Sequence, residues 1–409
     1  MFSSRLDWDL RPNRISAALD ARRRAALEIL DLTESNPTRA GFSYPADEIL
    51  AAQADARSLV YEPAPAGLAA AREAVAAYYA ARGRPISPDR ILLTASTSEA
   101  YAFLFKLLAD PGEEILVPRP SYPLFDYLAA LESVRVAQYP LVYEQRWLLD
   151  VAAVARAVTA RTRAIIVVNP NNPTGSFLKQ QELDCLVRLC AERNLALISD
   201  EVFSDYAFTT DPHRVTTLAG FDDAPTFSLS GLSKISGLPQ MKLGWMVIGG
   251  PEAAREQARN RLELIADTYL SVGTPVQHAL PRLLDVGAAV QQQIARRLRE
   301  NLAFLETALE AEPACELLQV EGGWYAILRV PHTGSEEELV VELLDRDGVL
   351  VQPGFFYDFD SEAFLVLSLL TTGETLREGV LRLLAGVACH GLGGVGDRAR
   401  ARDPAAPLR

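Results

Sequence analysis

The chain has 409 residues, of which 49% are apolar and 23% charged, a composition typical of a globular protein large enough for two domains. Its net charge of -13 disfavours nucleic acid as the main partner, because binding a phosphate backbone requires a basic face. No apolar run approaches the roughly 18 residues of a membrane helix and the N-terminus lacks a signal-peptide core, so we expect a cytoplasmic protein without membrane contact.

Short β-rich runs alternate with helical patterns between about residues 90 and 250. Several runs are apolar on both alternating faces, as expected for strands buried beneath helices on both sides. This order predicts an α/β domain with a large, mostly parallel, doubly wound sheet, whose ligands lie at the carboxyl ends of the strands. The runs are ILLT from Ile91, EILVP from Glu114, VRVAQYP from Val134, AIIVVNP from Ala164, LALISD from Leu195, TFSLS from Thr226 and MVIGG from Met246.

The pattern changes after about residue 285 and predicts a smaller α+β domain. A long helical segment precedes a strand in GWYAILRV, a helix near Glu336, strands at Val349 and Phe364, and a last helix near Glu374. We therefore expect an N-terminal arm and part of the small domain at 1–45, the large domain at 46–284, the small domain at 285–388 and a disordered tail at 389–409.

Three predicted strands of the large domain end in polar side chains. VVNPNNPTG carries Asn172, ISDEVFSDY carries Asp200, and SLSGLSK carries Lys234. Taken singly, each has a plain structural interpretation: an Asn-Pro turn, a helix N-cap and a solvated turn. Together they offer an amide for a phenolic oxygen, a carboxylate for a pyridinium nitrogen and an amine for a Schiff base, which are the groups that pyridoxal phosphate requires.

A phosphate seat is predicted where the strand LLTA leads into a helix. Ser96, Thr97 and Ser98 lie at that helix N-terminus, whose backbone amides favour an anion. The four cysteines and four histidines show no metal-ligand spacing, so we expect no metal site.

The ordered motifs NPNNPTG, SDEVFSDY and SGLSKISGLPQMKLGW resemble those of fold-type-I pyridoxal-phosphate enzymes of the class I/II aminotransferase family, over about residues 32 to 384. The resemblance implies pyridoxal 5'-phosphate as cofactor, an amino donor and a 2-oxo acid acceptor as substrates, and a homodimer with shared active sites. It also implies that Lys234 forms the Schiff base and moves the substrate's α-proton, that Asp200 pairs with the pyridine nitrogen and that Asn172 bonds the phenolic oxygen.

The same resemblance assigns further contacts. The pyridine ring is expected to stack on Tyr122, and the segment LTESNPTRAG to cover the substrate through Ser35, Asn36 and Arg39, with Asn172 also near the substrate. The residues expected around the cofactor phosphate are Ser96, Thr97, Ser98, either Ser230 or Ser233, and Tyr61 from the neighbouring subunit.

Three positions depart from the family pattern. Lys242 stands where arginine usually binds the phosphate. A lysine ammonium offers a single compact charge instead of the two parallel hydrogen bonds of a guanidinium group. Phe203 stands where a tyrosine usually joins Asn172 at the phenolic oxygen. Val366, two residues before Ser368, stands where arginine usually grips the substrate α-carboxylate, so we expect atypical carboxylate recognition, with Arg39 as the candidate replacement.

Transamination is the leading hypothesis, and two others stay open. The same scaffold supports a lyase, a decarboxylase or an oxidase, because the bond that breaks depends on geometry around the cofactor. A non-catalytic, cofactor-binding regulatory protein is the other alternative; the acidic charge and the presence of Lys234, Asp200 and Asn172 disfavour it.

Overall fold

A computed structural model describes residues 2–331, 334–361 and 363–400, and these form two compact units. The first unit comprises Met1–Trp8, Asn36–Arg296 and Gln319–Trp324; the second comprises Asp9–Ser35, Arg297–Leu318 and Tyr325–Arg409. The large domain expected at 46–284 lies within the first unit, which also contains 285–296 and the separate segment 319–324.

The strands fall into a large sheet in the first unit and two small sheets in the second. They are β1 (Leu30–Asp31), β2 (Ile91–Thr94), β3 (Glu114–Arg119), β4 (Arg135–Tyr143), β5 (Trp147–Leu149), β6 (Thr162–Val168), β7 (Ala196–Asp200), β8 (Thr226–Gly231), β9 (Gly244–Gly249), β10 (Glu316–Leu317), β11 (Tyr325–Arg329), β12 (Val349–Leu350), β13 (Gln352–Pro353) and β14 (Phe364–Ser368).

The large sheet has eight strands in the order β2-β9-β8-β7-β6-β3-β4-β5. Strands β4, β3, β6, β7 and β8 pair in parallel, whereas β9 and the edge strand β5 pair antiparallel with their neighbours. Each β-rich run of the large domain falls on one of these strands, so the mostly parallel α/β sheet predicted from the sequence is confirmed.

The α-helices are distributed over both units. They are α1 (Arg14–Arg24), α2 (Ala46–Gln53), α3 (Ala69–Ala80), α4 (Thr97–Leu108), α5 (Phe125–Leu131), α6 (Val151–Ala157), α7 (Gln180–Arg193), α8 (Leu232–Ile235), α9 (Glu252–Tyr269), α10 (Thr274–Glu310), α11 (Glu336–Glu342) and α12 (Gly373–Arg400).

Adjacent residues of the central strands face different apolar cores, which explains their unbroken apolar sequence. On β6, Ile165 lies in a core cluster with Leu186 of α7, whereas Ile166 lies in another with Leu104 of α4 and Leu262 of α9. Successive side chains of a strand point to opposite faces, so the sheet has helices on both sides. This arrangement leaves the strand ends as the place for polar groups.

The second unit contains a four-stranded sheet in the order β10-β11-β14-β13 and a parallel pair of β1 with β12. With α11 and α12 it forms the α+β arrangement predicted for the C-terminal part. Helix α12 continues to Arg400, into the segment 389–409 for which the sequence predicts a disordered tail; residues 401–409 lie outside the described residues. Within the described ranges, no helix is long and apolar enough to span a membrane.

Candidate active site

The polar residues predicted from the sequence follow strands that run in one direction. Strand β2 is antiparallel to β9, which is antiparallel to β8, so β2 runs the same way as β3, β6, β7 and β8. Ser96, Tyr122, Asn172, Asp200 and Lys234 come at or after the carboxyl ends of these strands. They therefore share one edge of the sheet, where ligands bind in open α/β folds.

Asp200 ends β7 with a buried carboxylate held by two donors. The backbone amide of Val202 donates to Oδ1 at 3.2 Å, and the Tyr101 hydroxyl donates to Oδ2 at 3.0 Å. Burial raises the pKa of Asp200 to about 6, while both hydrogen bonds and the charge of Lys234 act in the opposite direction. A carboxylate in this setting has a strong preference for a cationic partner.

Lys234 lies on the one-turn helix α8, directly after β8. The Tyr206 hydroxyl donates to the Lys234 carbonyl oxygen at 2.6 Å, which ties this turn to the loop after β7. The Lys234 amine lies 4.7 Å from the ring centre of Trp324 and 5.5 Å from that of Phe203. Burial lowers the pKa of Lys234 to about 8, and the charge of Asp200 opposes this shift. Part of the amine population is therefore neutral, and able to act as a nucleophile, near neutral pH.

Several buried polar atoms at this edge make no hydrogen bond within the described residues. Two of them, Asn172 Oδ1 and Ser230 Oγ, belong to residues predicted from the sequence. Buried polar atoms are normally hydrogen-bonded, so these two call for a polar ligand. Ser230 Oγ, the Asp200 carboxylate and the Lys234 amine fit the polar groups of pyridoxal phosphate, and Asn172 can donate to the phenolic oxygen through its amide nitrogen.

The start of α4 provides a close-packed seat for an anion. Ser96 caps this helix, its Oγ accepting from the Glu99 amide at 3.2 Å. Gly244 allows the backbone to come close here, because a Cβ at that position would lie 3.1 Å from the Ser230 carbonyl oxygen and 3.3 Å from the Ser96 carbonyl carbon. Ser96 and Ser230 are thus neighbours although they follow different strands. A helix N-terminus with exposed amides is suited to a phosphate group.

A short segment from the C-terminal half of the sequence completes the surroundings of Lys234. Lys179 forms ion pairs with Glu321 at 2.7 Å and Asp211 at 2.8 Å. The Gly323 amide donates to the Tyr206 carbonyl oxygen at 2.9 Å. These contacts fix the segment Gln319–Trp324 on the first unit, and they hold Trp324 beside the Lys234 amine.

Comparison with known proteins assigns the family. The sequence pattern of the family described as aminotransferase class I and II matches residues 28–383. The chain belongs to this family. It is a pyridoxal-phosphate-dependent aminotransferase, and the resemblance noted in its motifs is confirmed.

Individual relatives agree in length and fold with this aminotransferase. The glutamate-pyruvate aminotransferase AlaA of Haemophilus influenzae is 26% identical over 364 residues, covering 87% of this chain and 90% of the relative. The alanine aminotransferase of Mycobacterium tuberculosis is 28% identical over 364 residues, covering 87% and 84%. The solved alanine aminotransferase of Pyrococcus furiosus superposes with a TM-score of 0.86 at 25% identity, covering 95% of this chain and 100% of that structure.

The remaining cofactor candidates of this aminotransferase differ in exposure. Phe203 is buried, with its ring against Trp324 at 5.2 Å. Ser233 is half-buried beside Lys234, and Tyr122 packs edge to face on Phe125 at 6.4 Å. Lys242 and Tyr61 are both exposed, and Tyr61 exposes 79% of its surface.

The substrate candidates are divided between the two units. Asn36 and Arg39 belong to the first unit, and Ser35 and Val366 belong to the second. Asn36 Oδ1 accepts from the Thr38 amide at 3.0 Å, which shapes the turn before the exposed Arg39. Val366 is fully buried in β14, where it pairs with Ile327 of β11. Because valine carries no charge, this position offers no cation for a substrate carboxylate.

Tyr101 and Trp324 contact the site but were not predicted from the sequence. Tyr101 lies on the apolar face of α4, where an aromatic residue is indistinguishable from an ordinary core residue. Trp324 lies in a segment that the sequence assigns to the small domain. A tryptophan following two glycines, in EGGWY, is a weak signal of close backbone approach and nothing more. No cluster of metal-ligating side chains occurs in the parts of the chain that are described.

Proposed function

We propose that this aminotransferase transfers an amino group between an amino acid and a 2-oxo acid, with Lys234 and Asp200 as the catalytic pair and with atypical recognition of the substrate carboxylate. The observation that carries the proposal is that an amine whose pKa is lowered to about 8 and a buried carboxylate lie at the same edge of the sheet. Groups with shifted pKa values of this kind cluster at active sites.

Each residue has a task that follows from its surroundings. Pyridoxal phosphate, when bound, supplies an electron sink for the carbon that loses its proton. Lys234 would hold the cofactor through its amine, and its free amine would take and return the substrate's α-proton. Asp200 holds the positive charge at the ring nitrogen, and Asn172 bonds the phenolic oxygen. Because Phe203 has no hydroxyl, Asn172 acts there without the tyrosine usual in the family.

We also propose a homodimeric enzyme in which the two subunits share each active site. Ser96, Thr97 and Ser98 at the start of α4 bind the phosphate together with Ser230, and the exposed Lys242 supplies the positive charge. Tyr61, with its exposed neighbours Leu59 and Val60, reaches the phosphate of the other subunit.

Recognition of the substrate carboxylate is the atypical part. The usual arginine is replaced by Val366, which is buried and apolar. Arg39 is exposed, and its guanidinium makes no hydrogen bond or ion pair with the described residues, so it is free to bind an anion. We therefore assign the α-carboxylate to Arg39 on the covering segment.

A half-reaction screen tests this function. The holoenzyme is mixed with single amino acids and amines while the visible absorption of the cofactor is followed, beginning with alanine and glutamate, because relatives carry those names. Release of the matching 2-oxo acid, with the cofactor converted to its amine form, is expected. Release of ammonia in place of that conversion would favour a lyase or an oxidase.

A further inference from the structure

The two donors that hold Asp200 differ in origin. Val202 lies two residues further along the chain, and a backbone amide of this kind is available to any aspartate at a strand end. Tyr101 comes from α4, on a different part of the sequence, and its hydroxyl reaches Oδ2 at 3.0 Å. The second donor is therefore a specific feature of this chain's core.

The Tyr101 ring is fixed by apolar packing alone. It is 1% exposed, lies 5.4 Å from Phe125 in an edge-to-face contact, and lies 5.9 Å from Phe105. None of these contacts uses the hydroxyl, so a phenylalanine would fill the same space. The hydroxyl is directed instead at Asp200, the carboxylate that faces the Lys234 amine.

We infer that Tyr101 is a positioning residue that keeps the Asp200 carboxylate ionised opposite the ring nitrogen of bound pyridoxal phosphate. The inference rests on the function proposed above for Asp200. It adds Tyr101, a residue of the apolar core, to the residues that keep the ring nitrogen of the cofactor protonated.

The physical reason is the effect of a donor on a base. A hydrogen bond to the charged form of a carboxylate stabilises that form and makes the carboxylate a weaker base. Burial alone favours the neutral acid, which would take the proton from the ring nitrogen. The Tyr101 hydroxyl, the Val202 amide and the positive charge of Lys234 all oppose this transfer. The neighbouring Glu201 is itself satisfied by Ser199, Thr217 and the Leu218 amide, so it is not available as a donor.

The test compares Tyr101→Phe with Tyr139→Phe. Tyr139 is an equally buried tyrosine of the same unit, but its hydroxyl donates to the Ile166 carbonyl oxygen at 2.7 Å instead of to Asp200. The readout is the nitrogen NMR signal of pyridoxal phosphate labelled with ¹⁵N at the ring nitrogen, recorded in each holoenzyme. In Tyr101→Phe we expect the ratio of protonated to unprotonated ring nitrogen to fall about tenfold or more, the size expected for a hydrogen bond to a charged group.

Tyr139→Phe should leave the signal unchanged. A signal in Tyr101→Phe identical to that of the unsubstituted enzyme would overturn the inference and leave Tyr101 as a packing residue. If Tyr101→Phe does not fold, Tyr101→fluorotyrosine replaces it. This stronger donor should move the signal toward full protonation, and an unchanged signal there would overturn the inference equally.

A third variant separates this inference from the proposed function. Asp200→Asn should remove the protonated signal if Asp200 holds the ring nitrogen. If Asp200→Asn leaves the signal unchanged, the proposed role of Asp200 is wrong whatever Tyr101 does. If Asp200→Asn changes the signal and Tyr101→Phe does not, only the role of Tyr101 fails.

Discussion

The Lys234 amine lies 4.7 Å from the centre of the Trp324 indole ring. The face of an indole attracts an ammonium by about 0.5–2 kcal/mol, more where water is excluded. Trp324 is fully buried, so this contact counteracts the burial that lowers the pKa of Lys234 to about 8. The indole thus helps to set how readily the amine gives up its proton.

We therefore expect Trp324→Leu to lower the pKa of Lys234 by up to about one unit in the apoenzyme. The measurement is the rate at which trinitrobenzenesulfonate modifies Lys234 as a function of pH, with the modified peptide quantified by mass spectrometry. Trp245→Phe is the control, because Trp245 is also fully buried but donates its indole N–H to Tyr79 at 3.2 Å. A midpoint that stays the same in Trp324→Leu would show that the indole does not act on the amine.

The stability of the apoenzyme should respond in opposite ways to removal of Lys179 and of Lys234. Lys179 neutralises Glu321 and Asp211, so Lys179→Ala leaves a buried carboxylate unpaired and should cost about 3 kcal/mol of unfolding free energy. Lys234→Ala removes an amine that burial disfavours, and Asp200 keeps its hydrogen bonds from Tyr101 and Val202. The apoenzyme should therefore stay within about 1 kcal/mol of its original stability while turnover is lost.

Urea unfolding of the apoenzymes and turnover of the holoenzymes measure both effects. Ordinary turnover in Lys234→Ala would disprove the proposed mechanism. An unchanged stability in Lys179→Ala would show that the Lys179 ion pairs do not hold the segment that carries Trp324.

Seven of the eight strands of the large sheet could be predicted because each is a separate apolar run, and three of them lead into Asn172, Asp200 and Lys234; the three-residue edge strand β5 was not predicted. The contribution of Trp324 could not be predicted, because it depends on a segment leaving the C-terminal half and joining the first unit through the Lys179–Glu321 ion pair. Such a pairing between distant residues leaves no periodic pattern. Tyr101 was missed for another reason: its ring satisfies the helical core pattern, and only the direction of its hydroxyl reveals a second role.

The stability of the apoenzyme should depend on pH through Asp200. Its pKa is about 6 in the folded protein and 3.8 ordinarily, so between these values the folded state binds more protons than the unfolded state. The contribution of Asp200 to the unfolding free energy is therefore fully present below pH ~4 and decreases as the pH rises toward ~6. Above pH ~6 this contribution is lost.

The comparison with Asp200→Asn tests this dependence, since the amide does not titrate; the variant also loses the charge of Asp200, one of the smaller causes that raise the pKa of Glu201 to about 7. From pH 4 to 6.5, the unfolding free energy of the unsubstituted apoenzyme should decrease relative to the variant by about 2 kcal/mol, measured by urea unfolding. Parallel pH profiles for the two proteins would mean that Asp200 is ionised throughout that range.

Shared active sites predict recovery of activity in mixed dimers. Tyr61→Phe should impair phosphate binding in the neighbouring subunit's site, and Lys234→Ala should disable its own site. Refolding the two inactive variants together should restore part of the turnover, because some hybrid dimers contain one site with both residues intact. The control mixes Lys234→Ala with Asp200→Asn, which should not recover if both residues serve the site of their own subunit. Full activity of the unsubstituted enzyme as a dilute monomer would contradict shared sites.

Carboxylate recognition by Arg39 gives the last prediction. If Arg39 binds the substrate α-carboxylate in place of the arginine that Val366 replaces, Arg39→Ala should weaken amino-acid binding about tenfold to a hundredfold, the loss of a charge-assisted pair. The visible spectrum of the bound cofactor should stay normal, because Arg39 has no part in holding it.

Arg84→Ala is the matched control, since Arg84 is also an exposed arginine of the first unit and should leave binding unchanged. Amino-acid concentration dependence of the half-reaction measures the effect, and amines that lack a carboxylate should react equally well with all three proteins. Unchanged amino-acid binding in Arg39→Ala would remove Arg39 from this role and make substrates without a conventional α-carboxylate the better candidates, because the buried Val366 has no charge to offer.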